Sequence, residues 1–155
     1  MNALARKVGR RLKASGAKLA TAESCTGGWV AQAVTAISGS SAWFERGFVT
    51  YSNEAKQEML GVKRATLKKH GAVSEETARE MAKGALKKSR ATIAVAVTGV
   101  AGPTGGTPGK PVGMVCFSWA TKKVLRSETR RFRGNRERVR RQSVVHALKG
   151  VLGRG

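Results

Sequence analysis

Three side chains able to act as nucleophiles, Ser24, Cys25 and Thr26, stand in a row and are followed by Gly27-Gly28. The apolar stretch before them ends at Glu23, and an apolar pattern at helical spacing (Val30, Ala33, Val34, Ile37) resumes after them. A hydroxyl or thiol at a strand-to-helix turn can attack an acyl or amide carbon. The backbone amides of Cys25, Thr26, Gly27 and Gly28 at the helix start can hold the oxyanion that results. Ser24 also has a plainer role open to it, capping the helix. Cys25 reads most simply as a small buried hydrophobe.

A serine nucleophile needs a base, and few bases are available. No aspartate occurs in the 155 residues; all nine acids are glutamates. This excludes Asp-based triads, aspartyl nucleophiles, Asp-rich magnesium sites and EF-hand loops. The two histidines, His70 and His146, have no metal-ligand spacing with either cysteine. Chemistry without metal or cofactor is therefore expected, and a lysine is the base that is left. Lys56 lies five residues after Tyr51 across a strand-to-helix junction, which puts both side chains toward one cleft. A free lysine, near pKa ~10.4, is protonated at neutral pH. Burial or neighbouring positive charge must lower that value before Lys56 can accept a proton.

The elements that must position these groups alternate along the chain. Helices are expected over 3–14, 27–38, 53–60, 64–70, 74–88 and 136–152, and strands over 17–23, 46–52, 91–99, 111–120 and 123–132. Leu4, Val8 and Leu12 make one stripe of the first helix. Ser74 caps the helix that carries Ala78, Met81, Ala82, Ala85 and Leu86 on one face. The run ATIAVAVTG reads as a buried central strand. Strand-helix alternation over a chain of this length predicts a single α/β domain in three layers, and the adjacent late strands make its sheet mixed. Turns after three strands, ESCTGG, YSNEAK and TGVAGPTGG, converge if those strands are parallel neighbours. The last loop lacks the G-K-[ST] ending of a triphosphate-binding loop.

Thirty basic residues against nine acidic ones give a net charge of +21, densest in the first helix and over 122–141. Such a field attracts nucleic acid, anionic membrane or phosphorylated small molecules, unless it is only a solvated arginine-rich surface. No apolar run is long enough to cross a bilayer. Two cysteines without a secretory signal suit a reducing cytoplasm. The arginine-rich start reads as an amphipathic helix rather than a transit peptide.

Taken together and in order, ESCTGG, GFVTYSNEAK with LGV, HGAVSEETAREMA, TGVAGPTGG with KPVG, and FRGNRERVRRQ make the chain resemble the C-terminal domain of the CinA competence/damage-inducible family of nicotinamide-nucleotide amidases. The resemblance runs from about residue 3 to 150 and lacks the molybdopterin-binding-like domain of longer members. It implies an α/β/α sandwich on a mixed, mostly parallel sheet, commonly dimeric. It also implies hydrolysis of nicotinamide mononucleotide to nicotinate mononucleotide and ammonia. Carried onto this chain, Ser24 is the nucleophile and Tyr51 and Lys56 its activating partners. Thr98, Gly99 and Gly102 of the glycine-rich loop, with Arg136 and Arg140, belong to the substrate site. One departure is Gly134-Asn135-Arg136, where the family usually reads Gly-Asp-Arg; an aspartate there would orient the arginine by a charged hydrogen bond. The rival reading is a basic accessory protein of competence or DNA-damage response without enzymatic activity. Against it, the chain shows no helix-turn-helix, RRM or zinc-finger signature, and few aromatics interleave the basic stretch.

Overall fold

A computed structural model of the chain describes residues 1–153. Five strands, β1 (Leu19–Glu23), β2 (Phe44–Val49), β3 (Ile93–Gly99), β4 (Met114–Ala120) and β5 (Leu125–Arg131), form a sheet in the order β2-β1-β3-β4-β5. β2, β1 and β3 pair in parallel, and β4 is antiparallel to both neighbours, so β4 alone among the described strands runs against the rest. Helices α1 (Asn2–Ser15), α2 (Trp29–Thr35) and α6 (Arg136–Leu152) pack on one another over one face. Helices α3 (Asn53–Leu60), α4 (Arg64–His70) and α5 (Glu75–Lys87) form the layer on the other. This is the three-layer α/β/α sandwich on a mixed sheet that the alternation of elements predicts.

The two faces of the sheet are sorted by side-chain size. Alternate residues point to opposite faces of a strand. Val95 and Val97 of β3 and Val115, Phe117 and Trp119 of β4 face the α1–α2–α6 layer. Ala20, Ala22, Ala94, Ala96 and Ala120 face α5. The run over β3 that looks uniformly apolar is thus a valine face backed by an alanine face. With alanines and other small side chains beneath it, α5 lies close to the sheet, and its own contacts are small as well: Ala78, Ala82 and Ala85 are fully buried. The end of α3 comes so near that a Cβ on Gly84 would sit 1.9 Å from the Leu60 carbonyl oxygen.

Boundaries differ from the sequence reading where glycine or a cap intervenes. Helix α2 begins at Trp29 rather than 27, because Gly27 (φ 59°) and Gly28 (φ 102°) are in the left-handed region and cannot start a right-handed helix. Strand β2 ends at Val49, since Ser52 is needed as the cap of α3 and accepts from the Ala55 amide at 3.0 Å. Ser74 does cap α5, accepting from the Thr77 amide at 3.1 Å.

Replacing a glycine in a helix interior by alanine ordinarily stabilises by about 1 kcal/mol. At Gly84 the sign reverses, because the obstacle is backbone that cannot rotate away. We expect Gly84→Ala to cost about 2–3 kcal/mol, read as a lowered midpoint in thermal or urea unfolding; an unchanged or raised midpoint would mean that α3 and α5 separate freely.

Candidate active site

The carboxyl ends of β1, β2 and β3 lie side by side, and the three turns after them meet there as their parallel pairing requires. Ser24 follows β1 directly. Its amide donates to the Val97 carbonyl at 2.9 Å, while the Glu23 carbonyl accepts from the Thr50 amide at 2.8 Å, so the turn is pinned from both neighbouring strands. Lys56 sits in the first turns of α3, and its side chain is 1% exposed. Its Nζ donates to Ser24 Oγ at 3.0 Å, to the Thr50 carbonyl at 2.9 Å and to the Tyr51 carbonyl at 3.1 Å. These three partners are neutral, and no carboxylate pairs with Lys56 among the described residues. Burial pushes its amine below the ordinary lysine value. The cause is desolvation, not the neighbouring positive charge that the composition also made available.

The neutral amine matches this cradle atom for atom. It has two N–H bonds for the two carbonyls and one lone pair to accept the Ser24 hydroxyl proton. The two rival nucleophiles are otherwise engaged. Thr26 is fully buried and donates its hydroxyl to Glu23 at 2.6 Å. Burial raises the Cys25 thiol to about 12, so it stays protonated and unreactive at neutral pH.

Glu23 is a functional residue that the sequence reading did not single out. Its carboxylate is 1% exposed and takes the amides of Val30 (2.8 Å) and Ala31 (3.0 Å) together with the Thr26 hydroxyl. It therefore caps α2, the role open to Ser24 from sequence, and leaves the serine hydroxyl to Lys56. An acid closing the apolar strand LATAE, ahead of a helix whose own start is Gly28 without a capping side chain, was the available signal.

The remaining candidates surround a cavity of about 200 Å³ lined by Ser24, Lys56, Tyr51, Thr98, Gly99 and Arg136, among others. Thr98 Oγ1 donates to the Ala72 carbonyl at 2.9 Å and ties the α4–α5 loop to the site. Gly99 admits no side chain, since a Cβ would meet Val115 at 2.7 Å. Tyr51 is exposed. Its hydroxyl accepts from Arg136 Nη2 at 3.4 Å, and the part of Tyr51 that touches Lys56 is its carbonyl. Arg136 also donates from Nη1 to the Gly102 carbonyl at 2.8 Å. Arg140 reaches under the turn and donates to the carbonyls of Cys25 (3.0 Å) and Thr26 (3.1 Å), beside Gly27. Within the turn the Gly27 amide is taken by the Ser24 carbonyl, whereas the Thr26 and Gly28 amides have no acceptor among the described residues. Asn135 does not hold Arg136; it caps α6 by accepting from the Arg138 amide at 2.9 Å, a role in which Asn and Asp are equivalent. No three His, Cys or Glu side chains cluster as a metal site among the described residues.

An α/β/α domain with a serine hydroxyl and a buried lysine amine meeting at the carboxyl ends of its parallel strands is the class of protein that this fold and site define. The chain belongs to the CinA C-terminal domain family, whose model matches residues 1–154. It is 59% identical over 149 residues to the nicotinamide-nucleotide amidohydrolase PncC of Escherichia coli K12, covering 94% of this chain and 89% of that one. It is 52% identical to the protein of the same name from Pseudomonas putida, over 96% and 93% of the two chains. Among solved structures, the competence/damage-inducible protein CihA of Agrobacterium tumefaciens superposes with a TM-score of 0.96 at 46% identity, over 98% of this chain and 93% of that one.

The depressed Lys56 value has a consequence for stability. Unfolded, this lysine holds its proton up to about the ordinary lysine value of 10.5; folded, it releases it at lower pH. In that interval the unfolded chain binds more protons, so stability rises with pH through it. Lys56→Met lacks the contribution. Melting the two proteins side by side from about pH 6 to about pH 10 should move the difference in wild type's favour as pH rises; a difference that stays constant would mean that folding leaves the amine unperturbed.

Proposed function

We propose that the chain hydrolyses nicotinamide mononucleotide to nicotinate mononucleotide and ammonia through an acyl-enzyme on Ser24, with Lys56 as the base. Kinship with amidohydrolases at 59% identity makes the chain a hydrolase of a carboxamide C–N bond. The observation that carries the mechanism is the 3.0 Å contact between Lys56 Nζ and Ser24 Oγ in a buried cavity where no carboxylate pairs with the amine.

As Ser24 Oγ bonds to the carboxamide carbon, its proton passes to the Lys56 lone pair, and the other two N–H bonds stay on the Thr50 and Tyr51 carbonyls. The oxygen that becomes negative lies toward the backbone amides of the Cys25–Gly28 turn. The lysine then gives its proton to the departing nitrogen, the C–N bond breaks, and ammonia leaves. Water attacks the ester carbon with Lys56 again taking a proton, and the return of that proton to Ser24 releases the carboxylate. A cavity of about 200 Å³ holds the reacting ring and not a whole nucleotide. The ribose and phosphate therefore extend outward across exposed Tyr51 and Arg136. Arg136 is the cation at that mouth, since it lines the cavity and Arg140 is turned beneath the Ser24 turn.

Ammonia release from nicotinamide mononucleotide tests this. Ser24→Ala and Lys56→Arg should each lose more than about a thousandfold in kcat, the latter because a guanidinium cannot give up its proton. Cys25→Ala should stay active. Wild-type rate should rise with pH through one ionisation. A working Lys56→Arg enzyme with an unchanged pH profile would remove Lys56 from the reaction. Arg136→Ala should raise KM for the nucleotide about tenfold or more and have little effect with the unphosphorylated riboside; equal effects on both substrates would place the phosphate elsewhere.

A further inference from the structure

The excess positive charge is unevenly placed on the folded molecule. Helices α3, α4 and α5 carry seven Lys and Arg against five glutamates. In the opposite layer, α1 carries five cations and no acid, α2 carries neither, and α6 carries five cations and one acid, Glu137. Of the ten cations in the 122–141 stretch, Lys122, Lys123, Arg131, Arg133 and Arg138 are exposed without a side-chain partner among the described residues, and Arg131 and Arg133 line a groove beside Phe132 and Gly134; the others are engaged. Arg126 lies 4.2 Å over the Trp119 ring, Arg130 faces Glu128, Arg140 is turned under the catalytic turn, and Arg141 pairs with Glu137.

On α1 the situation differs. Arg6, Lys7, Arg10, Arg11 and Lys13 are all exposed, and none of these side chains has an ion-pair or hydrogen-bond partner among the described residues. Arg6, Arg10 and Lys13, at helical spacing, line a groove of about 260 Å³ whose far wall is Ser38 and Gly39 and whose floor is Trp43. Trp43 precedes β2 and accepts from the Leu19 amide at the start of β1. The groove is therefore at the amino ends of the parallel strands, while Ser24 and Lys56 are at the carboxyl ends.

We propose that this face is a docking surface for duplex nucleic acid, held through its phosphates without regard to sequence. Three unneutralised cations in one groove, continued by Lys7 and Arg11 along the same helix, complement a chain of phosphates rather than a single anion. A membrane surface fits less well, because lipid binding wants apolar side chains between the cations. The exposed large hydrophobics are Val49, Tyr51, Met59, Val124 and Leu125, and none lies on α1, α2 or α6. Reading of unstacked bases fits less well too, since Trp43 is buried.

Fluorescence anisotropy with labelled duplexes of about 20 base pairs, in two unrelated sequences, tests the proposal from about 50 to about 200 mM salt. Both duplexes should bind equally, with affinity falling steeply as salt rises. The triple variant Arg6→Glu, Arg10→Glu, Lys13→Glu should lose at least about tenfold at the low-salt end, and its log–log salt slope should shrink by about 3. A control triple on the other layer, Lys68→Glu, Lys69→Glu, Lys83→Glu, makes the same change in net charge and should lose less than about threefold. The glutamine versions of the first set should follow the same order with a smaller loss, and thermal melting checks that each variant is folded. Equal losses in both triples would reduce the effect to net charge and overturn the proposal. So would binding that ignores salt or selects one sequence, and so would binding to phosphatidylglycerol vesicles without binding to duplex.

Discussion

A primary amine buried without an anion is the constraint around which the site is built. Taking an ammonium ion out of water costs several kcal/mol unless a counter-charge or a full set of acceptors compensates it. Here the compensation is neutral: two strand-end carbonyls and one hydroxyl. The arrangement therefore favours the amine over the ammonium, and what looks like a cost in stability is what leaves a free lone pair facing the serine. The one acid near enough to spoil this, Glu23, belongs to the neighbouring residue and points the other way. Successive residues of a strand face opposite sides, so the carboxylate caps α2 while the serine meets the lysine. An aspartate or glutamate that reached Lys56 would restore its proton affinity, and the chain keeps its buried carboxylate occupied with two amides and a hydroxyl.

Much of this was legible in the sequence. The Ser-Cys-Thr-Gly-Gly turn, the lysine one helical turn past a strand end, and the lack of any aspartate pointed to serine–lysine chemistry before any coordinates. The helices and strands were placed within a few residues, because their periodicities and caps were strong. The choice of Ser24 among three adjacent nucleophiles came from the family resemblance and not from the residue types alone, since it depends on which side of the strand end each faces and on what else competes for it. Glu23 escaped for the same reason, and Arg140, expected in the substrate site, holds the carbonyls of Cys25 and Thr26 instead. Their partners are backbone groups of the turn, and nothing in a side-chain pattern marks a main-chain carbonyl 115 positions away. Asn135 was legible as a departure and misleading as a cause, because its partner is the helix it starts and not the arginine beside it.

The two layers over the sheet divide the work. The alanine face lets α5 approach closely, and through the Thr98–Ala72 contact it fixes the loop that closes the cavity. The valine and aromatic face carries α6, which sends Arg140 beneath the turn from behind. The Ser24–Gly28 turn is thus held from in front by strand hydrogen bonds and from behind by a guanidinium, so its geometry is fixed before a ligand arrives.

Strand β2, which leads directly into the two carbonyls that hold Lys56, lies at the margin of the sheet and pairs on one side only. Margins of sheets open without the rest of the fold, at a free energy below that of global unfolding. When β2 peels away, the Val95 and Phe117 core stays closed, yet the amine loses both acceptors and its distance to the serine at once. Competence for chemistry and persistence of the fold are therefore set by different parts of the molecule. Under the proposed mechanism, opening of this edge removes the reactive geometry before the fold is lost, and amide exchange along Phe44–Val49 reports it.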